Sequence, residues 1–242
     1  MAATKIASLS IAGTPGAPLG TLDLTNNDLL LTANATADVT SLVAFARHGG
    51  AWDRTGLTSS AASAASVKNT TIGVLSGFEY RSIYGPSAVF NTFAVADTDV
   101  LVKYTYYGDT DFNGLVDFDD YSRTDAGFNN NRGGWFNGDV DLNGIVDFDD
   151  YSLIDLAFNT QSGTLRRAMA YLDGSDRTDE GMNSPALRLV ERHFARFGNA
   201  YAANFLNSVP EPAGLGAVGL GMLLLPRRRV RRGIDGLRRL SA

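Results

Sequence analysis

The sequence has no cysteine and only two histidines, His48 and His193. Disulfides, thiolate metal sites and cysteine nucleophiles are therefore excluded together, and imidazole is too scarce for most transition-metal chemistry. Long apolar runs are missing too: the most pronounced is thirteen mostly apolar residues from Ala213 to Leu225. As a helix such a run covers only about 20 Å, short of a hydrocarbon core of roughly 30 Å. No secretory leader stands at the N-terminus, because Met1 to Ile11 carries one lysine and no apolar core of leader length. The expectation is a C-terminal piece of a longer exported protein, or a misassigned start. Basic residues are few outside the tail: the segment from Arg227 onward holds seven arginines and one aspartate, which leaves −11 on the remainder. An acidic body with a short basic end argues against nucleic acid as a partner. Residues 1–107 contain no nucleophile elbow, phosphate loop or histidine–acid pair, and nothing selects two of Asp23, Asp28, Asp38, Asp53, Glu79, Asp97 and Asp99 for acid–base work. No catalytic residue and no organic cofactor site is assigned, and the chain is read as a non-enzyme.

What is present is oxygen. The donors are carboxylates and amides, hard ligands that suit calcium or magnesium rather than zinc or copper. Abundant Ser, Thr, Asn and Ala beside 26 glycines give the character of a secreted β-rich or repeat protein. Leu22, Leu24 and Leu29 to Leu31 around a polar turn predict two short strands, and Thr40 is the expected N-cap of a helix ending at His48-Gly49-Gly50. Residues 51–77 read as loop with a short helix near Ser59 to Val67. Strands are predicted at Val89–Phe90, Phe93–Val95 and Val100–Tyr107. Thr164 to Leu172 predicts a helix, followed by a polar linker. Leu187, Val190, Phe194, Phe197, Tyr201 and Phe205 form the aromatic stripe of an amphipathic helix starting at Ser184-Pro185, with His193 off the stripe and solvated.

The strongest signal is internal. Residues from Gly108 repeat from Gly138 at an offset of 30, GDTDFNGLVDFDDYSRTDAGFN against GDVDLNGIVDFDDYSLIDLAFN, so one structural unit occurs twice. Oxygen donors fall at loop positions 1, 3, 5, 9 and 12 with glycine at 6, the spacing by which an EF-hand loop wraps one calcium. In the first copy these are Asp109, Asp111, Asn113, Asp117 and Asp120, with the carbonyl of Leu115 at position 7 and Gly114 at the turn. In the second they are Asp139, Asp141, Asn143, Asp147 and Asp150, with the carbonyl of Ile145 and Gly144. Like charges this close repel unless a cation neutralises them, so two calcium ions are expected. Val116 and Val146 should anchor the loops to the core. Tyr121 with Phe128, and Tyr151 with Phe158, should share one face of each following helix, the second helix having the fuller apolar face.

The two loops resemble type I dockerin repeats, which pair a calcium loop with only the trailing helix of an EF-hand; aspartate rather than glutamate at position 12 fits that family. The resemblance covers about residues 107–160. It implies a cohesin-type partner through loop positions 10 and 11, but these are Phe118-Asp119 and Phe148-Asp149 rather than the paired small hydroxyl residues of cellulosomal dockerins. The calcium role carries over and cellulosomal cohesin recognition does not. At the C-terminus, Val209-Pro210-Glu211-Pro212, the apolar run and Pro226-Arg227-Arg228-Arg229-Val230-Arg231-Arg232 resemble a PEP-CTERM sorting signal. That resemblance implies an exosortase-type enzyme at Val209 to Pro212, a transient membrane contact and release outside the cell, as in large secreted planctomycete-like proteins.

The expected fold is α+β. Residues 1–106 form a β-rich region, 107–160 the dockerin-like calcium module, 161–208 a helical linker or stalk, and 209–242 the sorting signal. Two functions are expected from this layout: a calcium-binding extracellular or cell-surface structural or adhesion module, with a surface polysaccharide as a candidate partner, or a dockerin that joins a cohesin-type partner in a polysaccharide-degrading assembly.

Overall fold

A computed structural model of the chain describes residues 2–209. Of the expected sorting signal, only Val209 falls among them; Pro210, Glu211, Pro212, the apolar run and the arginine-rich end lie outside the described residues. The described part is α+β. No helix in it is long and apolar enough to cross a membrane.

The N-terminal elements are strands β1 (Ala3–Ile6), β2 (Gly13–Thr14), β3 (Ala17–Pro18), β4 (Thr21–Asp23) and β5 (Asp28–Leu31), helix α1 (Thr36–Arg47), β6 (Gly56–Thr58), α2 (Ser60–Ala64), β7 (Thr70–Ser76), α3 (Gly77–Tyr84), β8 (Val89–Phe90), β9 (Phe93–Ala94) and β10 (Val100–Tyr106). A four-stranded sheet runs in the order β1-β5-β10-β7. β5 pairs parallel with β1, and β10 pairs antiparallel with β5 and with the whole of β7. Leu30, Leu31, Ile72, Leu75 and Leu101 are completely buried along these strands and meet Val39, Val43 and Ala46 of α1. A continuous apolar run is what a strand covered on both faces requires.

Several expectations change here. β4 and β5 form on either side of the polar turn but do not pair with each other: β4 lies parallel to β6, and β5 joins the main sheet. Thr40 is not the N-cap of α1, which starts after Ala35 without a side-chain cap. The reason is Val39, which belongs to the same buried face as Leu42, Val43 and Ala46 and so draws the helix back by one turn. The left-handed residue that ends α1 is His48 (φ +42°), with Gly49 (φ +67°) after it. Within 51–77, α2 forms on the Ser59 cap, whose hydroxyl accepts from the Ala62 N–H at 3.0 Å. β6 and β7, however, occupy stretches read as loop. β7 carries a glycine at its centre because a Cβ at Gly73 would come within 2.5 Å of the Trp135 ring and 2.7 Å of Phe112.

Four α-helices follow among the described residues, α4 (Phe118–Asn129), α5 (Phe148–Gln161), α6 (Leu165–Leu172) and α7 (Pro185–Asn207), with a single 3-10 turn at Trp135–Asn137 between the first two. α4 and α5 pass in opposite directions, since Tyr121 meets Phe158 at 5.7 Å and Phe128 meets Tyr151 at 5.9 Å between ring centroids. As expected, α5 buries the fuller face, with Leu153, Ile154, Leu156 and Ala157 enclosed. Residues 161–208, expected as a linker or stalk, instead pack: α6 and α7 lie on α5, and Leu187, Val190, Tyr201 and Phe205 close a second apolar core with Tyr151 and Leu156. Gly198 (φ +69°) interrupts α7. The main core runs from the sheet through Phe112, Trp135, Val140 and Ile154 without a break at residue 107, so the β-rich region and the repeats share one interior.

His193 corrects another expectation. It is 4% exposed rather than solvated, and its Nδ1 lies 2.6 Å from Asp155 Oδ2. Asp155, itself fully buried, also accepts from the Tyr121 hydroxyl at 2.6 Å and the Tyr201 hydroxyl at 2.5 Å. Burial, reinforced by the Asp155 charge, holds both phenols well above their ordinary pKa and keeps them donors.

Candidate metal centres

β10 delivers the chain into the first loop through Tyr107 and Gly108. Gly108 has φ +95°, and a Cβ there would stand 2.9 Å from Ile154 of the second repeat, so glycine is required for both reasons. Asp109, Asp111 and Asp120 then converge, each offering one carboxylate oxygen within 4.8 Å of the others; Asp139, Asp141 and Asp150 do the same in the second loop. All but Asp141 are buried, and it is half-buried.

Backbone amides hold the two sets in the same way. Gly114 and Gly144 donate to Asp109 and Asp139 Oδ2 at 3.0 and 3.1 Å. Asn113 and Asn143 donate to Asp111 and Asp141 Oδ1 at 2.9 and 3.0 Å. Leu115 and Ile145 donate to Asn113 and Asn143 Oδ1 at 2.7 and 2.8 Å. Asp120 and Asp150 accept through Oδ2 from Asp117 and Asp147 at 2.9 Å, closing a capping box at the start of α4 and of α5. The position-12 aspartate is thus also the third residue of the helix, which ties the loop to the helix.

The remaining expected ligands sit at the edge. Asp117 and Asp147 are half-buried N-caps outside the two triads, a placement compatible with the water-mediated contact usual at position 9. Leu115 and Ile145 turn their side chains to solvent, 57% and 61% exposed, as suits a position valued for its carbonyl. Val116 and Val146 are buried, as expected. One feature was invisible in the sequence: position 4 of each loop is left-handed without being glycine, Phe112 at φ +67° and Leu142 at φ +63°. Such a conformation costs roughly 1 kcal/mol or more, and burial of both side chains in the core offsets it.

A cation fits these residues. Asp109 Oδ1 and Asp139 Oδ1 are buried without a hydrogen-bond partner, at the same position of two loops that otherwise satisfy their polar atoms. A buried, unpartnered carboxylate oxygen is costly, and a divalent ion is the partner that satisfies it at position 1. The electrostatics agree. Burial, with the neighbouring carboxylates adding to it, pushes Asp109 up to about 7, Asp120 to about 6 and Asp150 to about 8, and raises Asp139 and Asp141 as well.

A pH dependence follows. With calcium chelated, the folded chain binds more protons than the unfolded chain between about pH 4 and pH 8, because its carboxyl pKa values are the higher ones. Stability is then lost as pH rises through that window, and raising the pH from 5 to 8 should lower the chelated protein's melting temperature by on the order of 10 °C. A divalent cation held by the two clusters would compete with those protons, and saturating calcium should then abolish or reverse the trend. A chelated protein that melts higher at pH 8 than at pH 5 contradicts this.

The two centres have different surroundings. Arg123 Nη1 lies 3.6 Å from both Asp111 Oδ2 and Asp120 Oδ1, whereas the equivalent residue in the second copy is the buried Leu153. Near the second loop the cation is Arg47 of α1. Its Nε donates to the Tyr107 hydroxyl at 2.9 Å and its Nη1 to the Asp141 carbonyl at 3.3 Å. Neither arginine was assigned to a site from the sequence, since each reaches its loop through the fold. No known protein family, curated protein or solved structure matches the chain.

Proposed function

We propose that residues 109–120 and 139–150 each bind one calcium ion, and that the chain serves as a calcium-stabilised structural or adhesion module outside the cell. The observation that carries this reading is the pair of buried, unpartnered oxygens at Asp109 and Asp139, each heading a cluster of three carboxylates in a loop of calcium-binding spacing. Calcium is preferred to magnesium because each loop offers three clustered carboxylates together with an asparagine oxygen, a backbone carbonyl and a position-9 aspartate one water away, more protein oxygens than magnesium takes when it keeps its waters. When bound, the ion supplies the positive charge the carboxylates lack. The chain's part is to position them, through the glycine turns, the amide bonds to Asp109 and Asp139, and the capping boxes.

Export and processing at Val209 to Pro212 by an exosortase-type enzyme belong to the same proposal, resting on the sequence of the C-terminal segment. Docking to a cohesin-type partner is the second reading. The observation in its favour is Phe118, at position 10 of the first loop and 82% exposed; its counterpart Phe148 is half-buried against the second core, so only the first copy offers that surface. Equilibrium dialysis of the full chain against calcium in excess magnesium tests the calcium assignment, with two calcium ions retained per chain as the expected result. Retention of none, or equal displacement by magnesium, contradicts it.

A further inference from the structure

Both position-1 aspartates hang on the same turn. Gly134 donates its N–H to Asp139 Oδ2 at 2.9 Å, and the next residue, Trp135, donates its indole Nε1–H to the carbonyl oxygen of Asp109 at 2.9 Å. The Asp139 amide returns a bond to the Gly134 carbonyl at 3.3 Å. Trp135 is 2% exposed and lies against Gly73 of β7. The heads of the two loops are therefore tied to adjacent residues of one turn, of which Trp135 is buried.

The tails of the loops are joined as well. Asp120 and Asp150, the position-12 ligands, are followed directly by Tyr121 and Tyr151. Tyr121 donates to Asp155 Oδ1 at 2.6 Å, and Tyr151 donates to Asp125 Oδ1 at 2.5 Å. Under the 30-residue offset these are one bond with the repeats exchanged. The ring pairs Tyr121–Phe158 and Tyr151–Phe128 exchange in the same way. A further tie runs from the Val116 amide in the first loop to Gln161 Oε1 at the end of α5, at 3.1 Å.

We propose that the two loops take up calcium cooperatively, coupled by the Gly134–Trp135 turn at their heads and the reciprocal tyrosine–aspartate clasp at their tails. The inference rests on the calcium reading above. An ion in the first loop must hold Asp109, Asp111 and Asp120 together against their repulsion. Fixing Asp109 fixes Trp135, and with it the Gly134 amide that orients Asp139; fixing Asp120 fixes Tyr121 against α5. The second loop is then already ordered when its ion arrives, so the ordering cost is met largely by the first binding event. The coupling is reciprocal by linkage. Trp135, Tyr121 and Tyr151 touch no ion and act as positioning residues.

The test is calorimetric titration of the full chain with calcium chloride. The wild type should show two ions with a Hill coefficient of about 1.5 or more, and Asp109→Ala should weaken the remaining loop by about tenfold. Trp135→Phe combined with Tyr121→Phe and Tyr151→Phe keeps an aromatic ring at each position, removes the donors, and should leave two ions bound with a coefficient of about 1. Should that variant not fold, the Asp109→Ala titration and its Asp139→Ala counterpart carry the test alone. Two independent sites in the wild type, with the surviving loop of each single variant at unchanged affinity, overturn the coupling while leaving the calcium assignment intact. Absence of any calcium binding in the wild type overturns both.

Discussion

Removing calcium is expected to lower the melting temperature of the full chain by on the order of 20 °C. A ligand present at about a thousand times its dissociation constant stabilises the folded state by roughly 4 kcal/mol per site, and a chain of this size shifts by roughly 2–4 °C per kcal/mol. Two sites together give the figure. The structure explains why the loss should spread beyond the loops: the main core is continuous from Leu30 and Leu101 through Phe112, Trp135 and Ile154, and Trp135 ties that core to Asp109. Unfolding followed by circular dichroism, with calcium and then with chelator in excess, checks the prediction. A shift within about 2 °C would mean that the carboxylate clusters are held without an ion.

The second large effect is expected at a residue outside both carboxylate clusters. Asp155→Ala should destabilise the calcium-loaded protein by about 3–5 kcal/mol, because it strips the acceptor from three buried donors at once. Those donors are the Tyr121 and Tyr201 hydroxyls and the ring of His193, all within 2.6 Å of its carboxylate. The loss should fall on α7 first, since two of the three partners belong to it. Asp155→Asn keeps the shape and one oxygen and should lose distinctly less. Urea unfolding of the three proteins in calcium gives the comparison, and a loss below about 1 kcal/mol for Asp155→Ala would show that the network is solvated in solution.

The loops could be read from the sequence because the residues that define them are local. The expected ligands, turn glycine and anchoring valine fall within twelve residues, and the second copy repeats every one of them. Position 117 follows from the same grammar but lies outside the triad, where its side chain caps α4. The structure diverges from the sequence reading where partners are distant. His193 and Asp155 are 38 residues apart and Trp135 and Asp109 are 26 apart, and no periodicity along α7 could show that a polar residue beside the aromatic stripe would find a buried carboxylate. β7 was hidden by its central Gly73, which reads as a strand breaker until Trp135 is seen against it. α3 did leave a signal, the capping box of Ser76 and Glu79.

The most direct test of the account is the calcium stoichiometry of the wild type beside Asp109→Ala, Asp139→Ala and the double variant, each measured by calorimetric titration of the full chain. The account predicts two ions for the wild type, one for each single variant and none for the double variant. A wild type that binds no calcium, or single variants that bind as many ions as the wild type, would contradict it.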